Sequence, residues 1–394
     1  KKAGQTVQVK IWDSQNEVYR FEDITIDTIN SLGRVKVIGN RVIDIMEKAP
    51  VEYSDFLGCG TFYFKDGETL LKYINVQDKN KDKYYLNGES YINCTIKAML
   101  DDCSTIMAIN VKNYLNLGVP RDYEEYMYWQ KTVCDLDENH SIIENSTLIM
   151  PAAGLGSRFK ADFKEPKPLI HMKSGNRMYQ DAIRYSFPAS KVTIVTRKDL
   201  DFYEDFKNEA AFHNFIGLQK ITEGQALTVR AGLSDDDTGP IIINSCDQGI
   251  LYDEDKFIEA YSDADIVICG LKNYMPAISK PTSFSWIVNY GNEVKKITSK
   301  KCESDPKDSY VFISCLIYKN KDILERSINS LLERNGKTNG EFYIDESIND
   351  SISLGYSVKL LDINSYINWG TPEELHMFNW WNDFLNTIKY DYLA

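Results

Sequence analysis

An internal repeat limits what this chain can fold into more than any other feature. Gly39-Asn40-Arg41-Val42 recurs as Gly291-Asn292-Glu293-Val294, and Gly88-Glu89-Ser90-Tyr91-Ile92 as Gly340-Glu341-Phe342-Tyr343-Ile344. Asn116-Leu117-Gly118-Val119-Pro120 recurs as Asn368-Trp369-Gly370-Thr371-Pro372. The offsets are 291 − 39, 340 − 88 and 368 − 116, each 252; Ile96/Ile348, Tyr114/Tyr366 and Trp129/Trp381 share it. Chance gives one such match, whereas a series at one offset is the mark of a duplication. A period of 252 residues is a whole domain rather than a solenoid unit. The second copy then occupies residues 146–394, residues 135–145 are a polar linker, and residues 1–134 are the C-terminal half of a first copy. On this reading the front half of the first copy lies upstream of Lys1, and the first copy is silent in catalysis.

The composition can supply the cores such domains need, with 43% hydrophobic residues. Mean hydropathy is −0.38, and the longest apolar runs are a few residues, too short to span a bilayer. No apolar stretch follows Lys1-Lys2-Ala3-Gly4, as a signal peptide requires. The net charge of −13 argues against a general nucleic-acid binder, which presents a basic face. It leaves room for a small anion held by a few local basic residues. Eight cysteines (59, 94, 103, 134, 246, 269, 302 and 315) form neither a CxxC nor a zinc-spaced Cys/His cluster. They read as free thiols in a reducing cytoplasm, where the sequons at Asn93 and Asn145 carry no weight.

Within the second copy, short apolar strands alternate with stretches of helical spacing. Thr147 to Ala152, Lys191 to Thr196, Pro240 to Cys246 and Asp265 to Cys269 read as strands. Tyr179 to Tyr185, Leu200 to Phe212 and Ala226 to Leu233 read as helices. That alternation predicts an α/β domain with a mixed, mainly parallel, Rossmann-like sheet. In such sheets ligands sit beyond the carboxyl ends of the strands, here just after Ala152 and just after Cys246.

Both places carry informative residues. After the first strand comes Ala152-Ala153-Gly154-Leu155-Gly156-Ser157-Arg158, whose glycines permit close backbone approach and whose amides can cradle phosphate. Arg158 can add a charged contact to the same phosphates. Next comes Glu165-Pro166-Lys167-Pro168-Leu169-Ile170, in which two prolines restrict where one lysine points. Alone, the first element reads more readily as a tight structural turn and the second as a surface-loop lysine. Together, AAGxGSR and PKPLI resemble the signature of nucleotidyltransferases that make nucleotide-activated sugars and alcohols, of the glucose-1-phosphate thymidylyl- and uridylyl- and phosphocholine cytidylyl- type. Thr222-Glu223-Gly224-Gln225-Ala226 resembles the family's base-contacting turn, and Asn244-Ser245-Cys246-Asp247-Gln248 its metal-bearing strand end. Asn339-Gly340-Glu341-Phe342-Tyr343 and Asn368-Trp369-Gly370-Thr371-Pro372-Glu373-Glu374-Leu375 resemble its acceptor-side and C-terminal motifs.

The resemblance implies a nucleotide-diphospho-sugar transferase (GT-A-like) fold and attack by a phosphomonoester oxygen on the α-phosphate of an NTP. Pyrophosphate leaves. It assigns Ala153, Gly154, Gly156, Ser157 and Arg158 to the triphosphate, and Gly224 and Gln225 to the base. Lys167 would bridge the α-phosphate and the incoming phosphate, and Asp247 would ligate Mg²⁺ with Asn368 as a second ligand. Lys300 falls to the acceptor, and Glu341, like Glu89 in the first copy, to the acceptor or to a structural role. The partners implied are an NTP and a phosphorylated sugar or alcohol, with a homo-oligomer left open, in the synthesis of surface-polysaccharide precursors. One departure concerns the acceptor. The first copy has Glu47-Lys48, like the family's acceptor pair, while the second has Ser299-Lys300.

Other residues read as structural. Asp235-Asp236-Asp237 reads as a solvated turn, Phe378, Trp380, Trp381 and Phe384 as a packing stripe, and His171 as a satisfied structural histidine. Two rival functions stay open: a glycosyltransferase of related fold, for which a DxD motif is expected where the chain has Ser245-Cys246-Asp247, and a non-catalytic nucleotide-sugar binder.

Overall fold

A computed structural model describes residues 6–13, 18–25, 33–48, 56–111, 113–136 and 140–391, with side chains described from residue 33 to 387. The chain divides into two units, Lys1–Asn116 and Leu117–Ala394.

The first unit contains β1 (Thr6–Asp13) and β2 (Val18–Thr25), paired antiparallel, then β3 (Arg34–Ile38), β4 (Arg41–Met46) and β5 (Phe56–Leu57) in a sheet of order β4-β3-β5. Helices α1 (Gly67–Lys79), α2 (Lys81–Tyr84) and α3 (Ile92–Asp101) follow. The Asp66 carboxylate accepts the Thr69 amide and starts α1. Tyr73, Tyr84, Ala98 and Met99 form a small core between the helices.

The second unit opens with α4 (Pro120–Asp135), β6 (Ile143–Pro151), α5 (Met178–Arg184), β7 (Ala189–Arg197), α6 (Tyr203–Glu209) and β8 (Asn214–Leu218). It continues through α7 (Gln225–Ala231), β9 (Ile241–Asn244), β10 (Gln248–Leu251), α8 (Glu254–Ser262), β11 (Ile266–Leu271) and α9 (Met275–Ser279). It closes with β12 (Trp286–Tyr290), β13 (Glu293–Thr298), β14 (Tyr310–Tyr318), α10 (Lys321–Glu333), α11 (Ile344–Ser353), β15 (Val358–Asp362), β16 (Ser365–Asn368) and α12 (Pro372–Asp391).

A nine-stranded sheet of order β11-β15-β13-β12-β14-β9-β6-β7-β8 organises this unit. β9, β6, β7 and β8 run parallel, as their alternation with helices predicts. The remainder is mixed rather than mainly parallel, because β14 enters antiparallel between β9 and β11 and the β12–β13 hairpin adds antiparallel pairs. Apolar residues fill both faces. Ile149, Ile243 and Leu316 meet α7, α10 and α11 on one face, and Leu148, Ile242 and Ile317 meet α8 on the other. Strands buried on two faces must be apolar throughout, which is why Ile241-Ile242-Ile243 shows no alternation. Among the described residues, no helix is long and apolar enough to cross a membrane.

Element bounds recur at the spacing seen in the sequence. β3 and β4 lie 252 residues before β12 and β13, and α3 before α11. Both hairpins carry a register shift at the same place, Lys36/Val37 and Val288/Asn289. Left-handed residues coincide as well: Gly39 and Gly291, Lys48 and Lys300, Asn87 and Asn339, Gly88 and Gly340. Between these points the offset is 254, as in 311 − 57 from the pairs Arg34/Leu57 and Trp286/Val311, and 321 − 67 from the first residues of α1 and α10. Two residues are gained after Lys300 and lost again before Thr338. Upstream of Arg34 the pattern stops. The β1–β2 hairpin, shifted by 252, falls on 258–265, which includes the end of α8, and on 270–277, which spans the end of β11 and the start of α9; these do not form a hairpin.

Candidate functional site

The loop after β6 leaves the sheet at its carboxyl edge. Ala152 still donates its amide to the Val195 carbonyl (2.8 Å). From Ala153 to Ser157 no amide donates to another described residue, so these N–H groups are available to an anion. Gly156 has φ +57°, and a Cβ there would stand 3.0 Å from the Lys167 Cβ. Glycine is required on both counts, and it lets the loop lie against the lysine stem. Arg158 is exposed, with no hydrogen bond or ion pair to a described residue.

Lys167 occupies the turn between Pro166 and Pro168. Arg177 clamps that turn, donating from Nη1 to Glu165 Oε1 (2.8 Å) and to the Leu169 carbonyl (2.8 Å), and from Nη2 to Glu209 Oε1 (2.5 Å). His171 Nδ1 lies 2.7 Å from the same Glu165 oxygen, so its partner belongs to this clamp. The Lys167 ammonium stands 5.1 Å from the centre of the buried Phe159 ring. It donates to Asp247 Oδ2 (2.5 Å) and to the Gly370 carbonyl (3.3 Å). Burial works against the charge, but the adjacent Asp247 carboxylate outweighs it and holds the Lys167 pKa above its ordinary value. Two of the three ammonium protons are engaged, so one remains for a further oxygen.

Asp247 lies between β9 and β10. β10 pairs antiparallel with β16, Gln248 opposite Asn368, which brings the end of β16 beside Asp247; the Trp369 amide donates to the Asp247 carbonyl (2.8 Å). Asn368 Oδ1 accepts from the Gly370 amide (2.9 Å), and Asn368 Nδ2 donates to Glu374 Oε1 (2.6 Å). A Cβ placed on Gly370 would stand 3.0 Å from Asn368 Oδ1, 3.3 Å from Glu374 Oε2 and 3.6 Å from Asp247 Oδ2. Three side-chain oxygens thus lie around the face of Gly370, which a glycine leaves uncrowded. An all-oxygen set with two carboxylates suits a hard divalent cation. Burial raises the Glu374 pKa, Thr371 offsets part of that effect, and the Asp247 charge adds to the rise. No cluster of three or more His, Cys, Asp or Glu residues suited to a metal is found among the described residues, so Asn368 is needed to complete the set.

Gly224 and Gln225 begin α7. Gly224 has φ +132°, and a Cβ there would strike the Phe342 backbone at 2.5 Å. Phe342 donates to the Glu223 carbonyl (2.8 Å) and accepts from the Ala226 amide (3.0 Å). This close approach is itself a reason for the glycine. The Gln225 amide lies 3.4 Å from both Ser245 Oγ and Ser314 Oγ, reaching toward the strand end that carries Asp247.

Lys300 and Glu341 do not join the Lys167 group. Lys300 donates to the Ser283 carbonyl (2.6 Å), and Glu341 is exposed beside Tyr343. The carboxylate missing at Ser299 reappears nearby. At the same spacing, Glu47 and Asn93 of the first unit correspond to Ser299 and Asp345 of the second. Asn93 donates to Glu47 (2.5 Å), whereas Asp345 accepts from Ser285 (2.6 Å) and lies 3.4 Å from the Ser299 hydroxyl. The Ser299 hydroxyl donates to Glu346 Oε1 (2.6 Å), so the carboxylates beside Ser299 come from α11. In the first unit, Lys48 pairs with Tyr91 and Glu89. At the 252 spacing, Lys300 and Glu341 of the second unit form no such pair, and Lys300 turns to Ser283 instead.

Sequence reasoning assigned no role to Gly370, Glu374 or Arg177. Gly370 and Glu374 stood only within the C-terminal motif; in the structure Thr371 Oγ1 accepts the Glu374 amide (3.3 Å), and the Glu374 carboxylate accepts from Asn368. The acidic triplet is not a solvated turn throughout. The Asp237 side chain is buried and accepts from Thr147 (2.7 Å), Lys191 (2.8 Å) and the Ser234 amide (2.7 Å). Only Asp235 and Asp236 face water.

No protein-family model matches the chain, and no curated protein matches it in sequence. Among solved structures it is similar to a nucleoside-diphosphate-sugar pyrophosphorylase from Vibrio cholerae RC9, at 18% identity over 59% of this chain and 98% of that one, with a TM-score of 0.47. It is similar to the inositol-1-phosphate CTP transferase from T. maritima, at 13% identity over 61% of this chain and 95% of that one, TM-score 0.45. It is also similar to a UDP-glucose pyrophosphorylase complexed with UDP-glucose, at 16% identity over 61% and 99%, TM-score 0.47. Likenesses at these scores decide neither family nor activity.

Proposed function

We propose that this chain is a Mg²⁺-dependent nucleotidyltransferase that joins a nucleoside monophosphate unit from an NTP to a phosphorylated sugar or alcohol. The observation that carries this reading is the Lys167 ammonium, half-buried between Asp247 and the Gly370 carbonyl and backed by the glycine loop. A half-buried cation with one proton to spare, next to loop amides that donate to no described residue, is a site for a polyphosphate.

The reaction forms one P–O bond, from an acceptor phosphate oxygen to the α-phosphorus, and breaks the bond to the bridging oxygen, so that pyrophosphate leaves. The nucleophile is already anionic and needs no base. Catalysis then rests on positioning and on charge. The amides of Ala153 to Ser157 and Arg158, which has no partner among the described residues, hold the triphosphate. Lys167 turns its remaining proton to an α-phosphate oxygen and draws the acceptor phosphate toward it. Gln225, with Gly224 fixing the turn, faces the base. Lys300 and Glu341 belong to the acceptor side, where Asp345 supplies the acid that Ser299 lacks. Asp247, Asn368 and Glu374 would hold Mg²⁺. When bound there, the cation would offset charge on the α-phosphate and the leaving group.

The recurrence of element bounds, register shifts and left-handed residues at one spacing supports a tandem duplication, with residues 1–134 and 146–394 as its two parts. The parallel strands β9, β6, β7 and β8, with the loop at their carboxyl edge, support a Rossmann-like, GT-A-type domain. Precursor synthesis for surface polysaccharide, in the cytoplasm, fits a reaction that activates phosphorylated sugars or alcohols.

The experiment is a screen of NTPs against phosphorylated sugars and alcohols, with pyrophosphate as the readout. Release that requires an acceptor, Mg²⁺ and both Lys167 and Asp247 is expected. Sugar transfer without pyrophosphate, or nucleotide binding without turnover, contradicts the reading.

A further inference from the structure

The strand pair that carries the site is short. β16 pairs with β10 along one edge. Its other edge is not met by a strand but by α4. The Tyr366 amide donates to the Tyr128 hydroxyl oxygen (3.0 Å), and the Tyr128 hydroxyl donates to the Tyr366 carbonyl (2.5 Å). One side chain thus satisfies both backbone groups of an edge residue, which a neighbouring strand would otherwise do. One turn on, the Thr132 hydroxyl lies 2.8 Å from the Ser365 hydroxyl, with both residues fully buried. Two residues beyond Tyr366 is Asn368, and then Gly370, whose carbonyl holds Lys167.

The helix reaches this place through a reciprocal contact with α12. Tyr126 meets Trp381 at 6.2 Å between ring centres, and Trp129 meets Phe378 at 6.2 Å. Since 378 − 126 and 381 − 129 are both 252, these are one contact made twice with the roles exchanged, and Trp129 stacks on its own counterpart Trp381 (6.5 Å, 16° between planes). Such reciprocity is the pattern of a two-fold interface. The symmetry breaks at Tyr128, whose counterpart is Trp380. An indole has no acceptor and cannot bridge an amide and a carbonyl.

We propose that Tyr128, from the repeat that has no glycine loop of its own in this chain, is a positioning residue for the site of the other repeat. Its hydroxyl fixes the outer edge of β16, and with it Asn368 and the carbonyl that orients Lys167. Thr132 assists through Ser365. The catalytic consequence rests on the proposed function; the structural clamp does not.

The test is Tyr128→Phe in the full chain, which keeps the ring and removes only the bridge. Amide exchange over residues 365–369 is expected to rise about tenfold or more, while that of β6 and β9 stays unchanged. With the active NTP and acceptor, kcat is expected to fall on the order of tenfold, by a larger factor than either KM rises. Unchanged exchange at 365–369 overturns the clamp, and so does a uniform rise across the unit. Altered exchange with unchanged kcat overturns the positioning role. If the wild-type chain shows no turnover, the nucleotidyltransferase reading fails, and the exchange measurement still decides the clamp. If Tyr128→Phe does not fold, Thr132→Val is read by the same exchange, with the same two outcomes.

Discussion

Gly370 is the residue on which the site's oxygens converge. Gly370→Ala adds one methyl 3.0 Å from Asn368 Oδ1 and within 3.6 Å of Asp247 Oδ2. Its φ is not left-handed, so the backbone tolerates alanine. Thermal stability should change little, while pyrophosphate release falls about a hundredfold through displaced ligands; equal activity in the two proteins would refute the convergence. Asp237 gives a different prediction. Burial pushes its pKa up, but Lys191, Thr147 and the Ser234 amide outweigh this and hold it below the ordinary carboxylate range. A depressed acid stabilises the fold above its unfolded pKa, near ~3.9, and loses that contribution as pH falls through the folded value. Asp237→Asn should therefore unfold earlier than wild type at pH 7, with the gap in Tm closing on acidification below about pH 4. A gap independent of pH would contradict the pairing. These two residues also mark the reach of sequence reading. Lys167 was legible because the prolines and the glycine loop flank it locally. The roles of Gly370 and Glu374 within their motif, and the buried state of Asp237, were not, since they depend on partners distant in sequence: Asp247 for the first two, Thr147 and Lys191 for the third.

At the level of elements, α4 and α12 form the contact that the aromatic stripe foretold. The stripe's partner was not legible: helical spacing in the sequence identifies an apolar face but not which helix covers it. Trp129 and Trp381 are both buried, with 7% and 5% exposure. Trp129→Ala should cost about 3 kcal/mol of stability from lost packing. Because the two rings stack, the double variant with Trp381→Ala should fall short of the sum by about 1 kcal/mol in denaturant unfolding. Full additivity would mean that the rings do not share an interface. The strands β6, β7, β9 and β11 were legible as apolar runs, to within a few residues. The position of β14 between β9 and β11 was not, because pairing across the sheet leaves no local period.

For the whole molecule, residues that recur at the 252 spacing sit in unequal surroundings. The first unit keeps Glu47, Lys48, Tyr91 and Glu89 together, while the second separates Lys300 from Glu341 and carries its acid at Asp345. If the second unit alone turns over, Lys48→Ala leaves pyrophosphate release unchanged, and Lys300→Ala raises the acceptor KM on the order of tenfold with a smaller effect on the nucleotide KM. The reverse pattern would assign the acceptor to the first unit. All of this depends on the ion pair of Lys167 and Asp247 serving phosphate chemistry rather than the fold alone. The most direct measurement is pyrophosphate release from an NTP and a phosphorylated acceptor by the wild type, Lys167→Ala and Asp247→Ala, each verified as folded. Acceptor-dependent release by the wild type, lost in both variants, is the predicted result. Release that survives in both would contradict the account.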